Sequence, residues 1–469
     1  MKKLFVKILP AVIVLAVVLL SCKKDRFITS RGALLSTSVD SLKYDTVFTS
    51  IGSVTQSFKI NNLNNQKLLL SSVRLMGGAA SAFKININGL PSPIATGIEL
   101  AAKDSMYIFV TVQINPNLSG LPFIVKDSIQ IIYNGNIRYV QLEAFGQNAN
   151  FLRNKVITGN VSWPNNLPYV ILGSVRVDTT ASLTIDPGCR IYLHADAPFI
   201  VDGTLIVNGT KNDSVVFNGD RLDAAYKDLP ASWPGIYFRG KSKNNVLTHA
   251  FIKNAYQAVV TEQPSINSNP KLTLNKCVID NAFDVGLFAV NSSIKAENCL
   301  ISNCGNNISI AYGGDYNFSH CTVAGYSTDF ITHQNQVLAV KNFAAQNGVT
   351  VTADITAAFT NCIFWGDNGN LSDEIAVQKQ GSNPFTVSFD NCLYRMSADP
   401  LNSIVTDNIR NQDPLFDSIN VNKGIFDFHL TKNAAAPGVN TGKLTPVFSD
   451  LDDNIRPVGL PDIGCYEKQ

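Results

Sequence analysis

Asp284, Asn306, Asn307, Asp329 and Asp354 stand seven to eleven residues after Cys277, Cys299, Cys321 and Phe343, four marker positions spaced 22 residues apart. His333 and the pair Asp373-Glu374 lie close by in sequence. If the markers stack, these polar side chains fall on one outer face and line a groove. The candidate ligand groove is then Asp284, Asn307, Asp329, His333, Asp354 and Glu374. Three chemistries use such groups. A Ca²⁺-dependent lyase needs 6–8 oxygen ligands around the ion and a basic partner, so one aspartate per repeat is too few. Glycosidic hydrolysis needs two carboxyl groups at a defined separation. Binding a sugar polymer needs only hydrogen-bonding groups and rings to stack on, for which Tyr312, Tyr316, Phe330, Trp365 and Tyr394 are candidates, although Tyr316 and Tyr394 also fit core positions of the repeat. Five histidines scattered along the chain show no zinc-ligand spacing. We therefore expect no metal and no cofactor, and name no catalytic residue. The competing reading of the same polar residues is that they are solvated turns and strand edges.

The elements that would position them follow from the marker itself. Cys277, Cys299, Cys321, Cys362 and Cys392 share one local pattern. Three residues before each stand Leu274, Ala296, Phe318, Phe359 and Phe389; two after stand Ile279, Ile301, Val323, Phe364 and Tyr394. A two-residue corner precedes each cysteine: Asn275-Lys276, Glu297-Asn298, Ser319-His320, Thr360-Asn361 and Asp390-Asn391. The spacings are 22, 22, 41 and 30. Phe343, with Leu338, Val340 and Asn342 before it, reads as a further copy inside the long gap, and Ala250 with Leu247 and His249 as one upstream. Short strands at a period near 22 are a solenoid signature, and no leucine-asparagine repeat is present. Coils of this kind return about 4.8 Å above themselves, so like residues stack on like. Asparagine and histidine before the stack suit a left-handed bend. The alternation points Cys277, Cys299 and Cys321 inward, as buried thiols. Eight cysteines besides Cys22 could also make four bridges; stacked parallel side chains are poorly aimed for the twist near 90° that a disulfide needs. Pairing of Cys189, Cys304 and Cys465 is left open.

This repeat resembles the asparagine-laddered coils of the pectate-lyase-like, right-handed parallel β-helix. The run Pro461-Asp462-Ile463-Gly464-Cys465-Tyr466-Glu467 resembles the closing segment of exported proteins of that fold, with Cys465 in place of the usual alanine. The resemblance implies fold for about Asn150 to Gln469. It implies little about activity, because such folds host lyases, hydrolases, adhesins and scaffolds. The Asn-Thr-Asp, Asp-Asp and Gly-His-Gly motifs of polygalacturonases are missing from the coils; Asp452-Asp453 lies in the tail.

Residues 29–148 read differently. Val54–Ile60, Phe83–Ile87 and Met106–Val112 alternate with period two between turn clusters such as Asn61-Asn62 and Asn134-Gly135-Asn136. That pattern argues antiparallel strands, and it resembles the Ig-like modules that precede β-helices in exported lipoproteins. Asp45-Thr46-Val47, Asp104-Ser105-Met106 and Asp127-Ser128-Ile129 resemble an O-glycosylation sequon of some exported bacterial proteins.

The chain starts with Lys2, Lys3 and Lys7, then runs apolar from Ile8 to Leu20. Thirteen residues are short for a spanning helix, which needs about 17–25, and fit a secretory leader. Leu19-Leu20-Ser21-Cys22 resembles the bacterial lipobox, which implies acylation of Cys22 and cleavage before it. Lys23 at the next position implies, by the enterobacterial sorting rule, an outer-membrane destination with the face undecided. The 38 basic side chains less the three leader lysines leave 35 against 36 acidic ones. Without a basic stripe, nucleic acid is not a partner.

The expected architecture is all-β: a leader over 1–21, a tether over 22–28, an Ig-like β-sandwich over 29–148, a right-handed parallel β-helix over 150–412 and its closing segment over 413–469. The expected function is a cell-envelope lipoprotein, anchored in a membrane by lipid, presenting the β-helix to a polysaccharide or a surface partner without catalysis. The rival readings are a polysaccharide lyase or glycoside hydrolase, and a structural or adhesive stalk.

Overall fold

The computed structural model describes residues 26–469 except 50–51, 116–122, 347, 368–370 and 431–434. Cys22 and the leader lie outside the described residues. Two compact units divide at Asn148 and Ala149.

The first unit is a β-sandwich. One sheet holds Phe27–Ile28, Ser41–Phe48, Lys67–Leu75, Ile94–Leu100, Phe123–Tyr133 and Asn136–Gln147; the other holds Leu35–Thr37, Gln56–Asn62, Phe83–Ile87, Leu90–Pro91 and Ser105–Val112. Alternate residues such as Phe58, Ile60, Ile108, Val110, Ile129 and Ile131 point between the sheets into one core. The Asn134-Gly135 turn has both residues at positive φ (45° and 75°), as a two-residue hairpin requires. Pairing departs from the all-antiparallel expectation at two places. Ser41–Phe48 runs parallel to Asn136–Gln147, and Phe27–Ile28 parallel to Lys67–Leu75. Alternation reports which side chains face the core, and both pairing senses satisfy it.

The second unit is a parallel β-helix. Twenty-six strands from Asn150–Ile157 to Ile409–Arg410 form one continuous pairing network in which each registered pair is parallel. Each coil contributes three strands, so the solenoid has three faces. One face stacks Ile236–Phe238, Gln257–Glu262, the start of Val285–Glu297, the start of Asn306–Ser319, Leu338–Lys341 and Ile375–Gln378. A second stacks Leu272–Asn275, the ends of those two long strands, Ile355–Thr360, Phe385–Asp390 and Ile404–Thr406. A third stacks Val278–Asp280, Leu300–Ser302, Thr322–Gly325, Ile363–Gly366, Leu393–Tyr394 and Ile409–Arg410.

The five repeat cysteines sit at the corner between the second and third faces, one per coil, each fully buried as a free thiol. Cys189, Cys304 and Cys465 are also free and buried. Burial raises the thiol pKa along the whole column from Cys277 to Cys362. Cys299, Cys362 and Cys392 each donate to the carbonyl two residues back, at 3.3, 3.3 and 3.6 Å. Beside them Phe318, Phe359 and Phe389 stack with centroids 5.2 and 5.1 Å apart. The corner residues His249, Lys276, Asn298, His320, Asn361 and Asn391 all have φ between 44° and 54°.

The extra copy read at Phe343 is corrected. Phe318 pairs directly with Phe359, so the gap of 41 is one long coil. Leu338 and Val340 belong to the first face, against Ile308 and Ile310. Phe343–Gln346 leaves the solenoid in an antiparallel hairpin with Val349–Thr352. Any short half-buried strand that ends at an asparagine reproduces the local pattern. The side-chain amide ladder is also displaced from the cysteine corner. Asn254, Asn281 and Asn303 occupy the next left-handed corner, where Asn281 Nδ2 donates to Asn254 Oδ1 at 2.7 Å and Asn254 Nδ2 to Asn218 Oδ1 at 2.9 Å.

The outer side of the third face is apolar, and the segment after Asp413 covers it. Phe428, Leu451 and Cys465 pack on Val278, Leu300 and Ala324; Leu430, Ala436 and Ile463 pack on Ile363 and Leu393. The Asp-Ile-Gly run is fastened by a buried ion pair. Arg456 Nε donates to Glu467 Oε2 at 2.8 Å, and its other nitrogens reach Asn298 Oδ1 at 2.8 Å and the Gly464 carbonyl at 3.0 Å.

Candidate functional site

On the second face, inward residues are apolar and the alternate ones face out. Ser293, Lys295 and Glu297 on one coil are in register with Asp315, Asn317 and Ser319 on the next, and Ser319 with Thr360 beyond it. These side chains form the floor of a groove of about 590 Å³. One wall is the Pro264–Pro270 loop, and the other is Thr445–Val447 of the closing segment. Asn244, at φ 53°, pins the first wall by accepting from Asn267 and Asn269 Nδ2, both at 3.0 Å. Successive floor strands are about 4.8 Å apart, so the hydroxyls of Ser293, Ser319 and Thr360 recur on successive coils beside the Asn317 amide, as a linear polymer would need.

Strand register attaches the two groove carboxylates, Glu297 and Asp315, far apart along the floor. Lys295 Nζ is 2.9 Å from Glu297 Oε1. Asp315 is in register with Ser293, so Glu297 and Asp315 are four residues apart along the strands. At 3.3 Å per residue along the strand and about 4.8 Å between neighbouring strands, their attachment points are about 14 Å apart. Glycosidases hold their two carboxyl groups about 5–9.5 Å apart.

The six residues expected to share a groove are dispersed. Asp284 Oδ2 accepts from Gln257 Nε2 at 2.7 Å, beside an exposed ring pair, Tyr256 and Phe283. Asn307 is a buried brace that donates to the Ile301 and Ala324 carbonyls at 2.8 and 3.0 Å. Asp329 lies in a separate hollow of about 400 Å³ with Asp228, Lys253, Asp280, Phe330 and Lys423. Asp354 accepts from Asn383 at 2.8 Å. Only His333 and Glu374 come together: Nε2 is 3.1 Å from each carboxylate oxygen, and both side chains are buried. Gly366 makes room for them, because a Cβ there would come within 2.2 Å of Glu374 Oε1. Spacing after the marker was a poor guide because loops of unequal length follow the third face.

Of the five candidate rings, Tyr316 and Tyr394 are core residues. Phe330 and Trp365 line other hollows, and Tyr312 sits at a left-handed bend at φ 58°. In the hollow around Asp329, Asp280 is held by Lys253 at 3.5 Å, Ser302 at 2.8 Å and Asn303 at 3.2 Å. Among the described residues no group of three or more His, Cys, Asp or Glu side chains is placed to hold a metal. Part of the floor carried a signal in the sequence. Glu297, Ser319 and Thr360 are first members of corner pairs, two residues before a cysteine and facing out.

No family model matches the chain, and no curated protein matches it. Among solved structures it is similar to the pectate lyase Pel9A, at 11% identity and a TM-score of 0.34, covering 69% of this chain and 88% of that one. It is also similar to a family 123 glycoside hydrolase from Clostridium perfringens (10% identity, TM-score 0.19), covering 28% of this chain and 31% of the hydrolase. A third likeness is WR4, a C. elegans MSP family member (9% identity, TM-score 0.17), covering 24% of this chain and 98% of that one. The β-helix is established here by its strand register.

Proposed function

We propose that this protein is a cell-envelope lipoprotein, anchored through Cys22, that binds a neutral linear polysaccharide on the second face of its β-helix without cleaving it. The observation that carries the reading is the groove floor: hydroxyls recur across coils at Ser293, Ser319 and Thr360 beside the Asn317 amide, and its two carboxylates are attached about 14 Å apart by strand register. Lys295 is balanced by Glu297, and Asp315 adds a negative charge. Such a surface repels a polyuronate and offers partners to uncharged sugar hydroxyls. The lipobox-like run supplies the membrane partner, and the sandwich serves as an Ig-like spacer between anchor and β-helix. The test is a panel of neutral and acidic polysaccharides, with retention of the intact protein and release of product measured together. Retention of a neutral polymer without new reducing ends or unsaturated products is expected. Cleavage of polygalacturonate with added Ca²⁺, or of any neutral polymer in a manner lost on Glu297→Gln or Asp315→Asn, would overturn the non-catalytic reading.

A further inference from the structure

The second wall of the groove belongs to the closing segment, and two fully buried corner residues hold it in place. Asn361 grips the backbone of Lys443 from both sides: Oδ1 accepts from its N–H at 2.8 Å, and Nδ2 donates to its carbonyl at 2.7 Å. That grip fixes the amide orientation and turns Nδ2 toward His320 Nε2, 3.0 Å away. His320 Nε2 therefore accepts, and the ring proton sits on Nδ1, facing the Asp462 carbonyl at 3.3 Å. Thr445 Oγ1 lies 2.9 Å from the same Nε2, whose single lone pair is shared between the Asn361 amide and the threonine hydroxyl. Burial, aided by the Arg456 charge, pushes the His320 pKa down to about 2, so the ring stays neutral. With its proton turned inward, the half-buried Thr445 hydroxyl presents lone pairs to the groove.

We propose that the closing segment is a working wall of the ligand groove, and that His320 and Asn361 are positioning residues which hold Thr445 as a hydrogen-bond acceptor for a ligand hydroxyl. This rests on the glycan-binding reading above. It differs from a purely structural role for the segment, which would seal the apolar third face and leave binding untouched.

The experiment uses the full chain, with dextran, mannan and xylan as probes in affinity electrophoresis and amide hydrogen exchange as a second readout. Thr445→Val keeps the wall and removes the acceptor. Because the Asn361 clamp on Lys443 remains, it should raise exchange at 443–447 less than His320→Ala does, and weaken binding of the retained polymer about two- to twelvefold, the range of a single hydrogen bond. His320→Ala should raise exchange at 443–447 while the floor strands 294–297 and 315–319 stay protected, and should weaken binding at least as much. Wild-type binding by Thr445→Val, or unchanged exchange in His320→Ala, overturns the proposal even though the wild-type chain binds. A wild-type chain that binds none of the three polymers instead refutes the glycan reading, and this proposal with it.

Discussion

Replacing Arg456 by alanine should loosen the closing segment far more than a surface charge deletion would. The Arg456 and Glu467 side chains are both fully buried. The substitution strands a buried carboxylate and removes the donors to Asn298 Oδ1 and the Gly464 carbonyl. Glu467 keeps the N–H groups of Val458 at 2.8 Å and Asp462 at 3.0 Å, which partly offsets the loss. Breaking one side of a buried pair costs about 3–5 kcal/mol, or about 150-fold or more in the opening equilibrium of the segment. Native-state proteolysis reads that equilibrium when reclosing is fast relative to cleavage. Cuts between 440 and 469 should accelerate by that factor, while the coils from 270 to 320 stay resistant. In the double variant Arg456→Met with Glu467→Met neither member of the pair is left stranded, so the cost should be smaller than the sum of the singles by about 1 kcal/mol or more. Proteolysis of Arg456→Ala within threefold of wild type, or strict additivity in the cycle, would refute the reasoning.

Three further outcomes follow from the same geometry. The eight described thiols should resist a maleimide in the native protein without reductant and all react after unfolding; labelling counted by intact mass checks this, and fewer than eight thiols in the unfolded chain would show bridges. His320 contributes a pH dependence of definite sign. Its folded pKa is about 2, against an unfolded value near 6.5, so its stabilisation is complete above pH 6.5. Below that the unfolded state gains a proton that the folded state refuses, at a cost of about 1.4 kcal/mol per pH unit. Urea midpoints of wild type minus His320→Asn, measured from pH 7 to 4.5, should converge as the pH falls. Mass spectrometry of the mature N-terminus should find Cys22 first and acylated, and an unmodified Cys22 would remove the membrane anchor from the account.

The solenoid was legible because its physics is local and repeated. Leu274, Ala296, Phe318, Phe359 and Phe389 each precede a cysteine by the same three residues, and stacked coils turn that constancy into a column. Left-handed corners were legible for the same reason, since asparagine and histidine tolerate that backbone. What escaped was whatever depends on unequal loops. Phe343 satisfied the local pattern yet leaves the solenoid, because nothing in a five-residue window says which face a strand joins. Asp329 and Asp354 lie at similar distances after their markers, but long excursions carry them to different places. Asn298, Asn361 and Asn391 read as a ladder; they bind the closing segment instead, through Ser449, Lys443 and Thr441. Those are partners roughly 50–150 residues away, which no periodicity reports.

The most direct test of glycan binding on the second face blocks the floor and leaves the core alone. Asn317 is an exposed floor residue between two buried inward neighbours, Tyr316 and Phe318. Asn317→Trp should fold normally and fill the groove. Affinity electrophoresis through gels containing a neutral polysaccharide should retard the wild-type chain and release the variant, while polygalacturonate retards neither. Equal retardation of both proteins by the neutral polymer, or retardation of the wild type by polygalacturonate alone, would contradict the account.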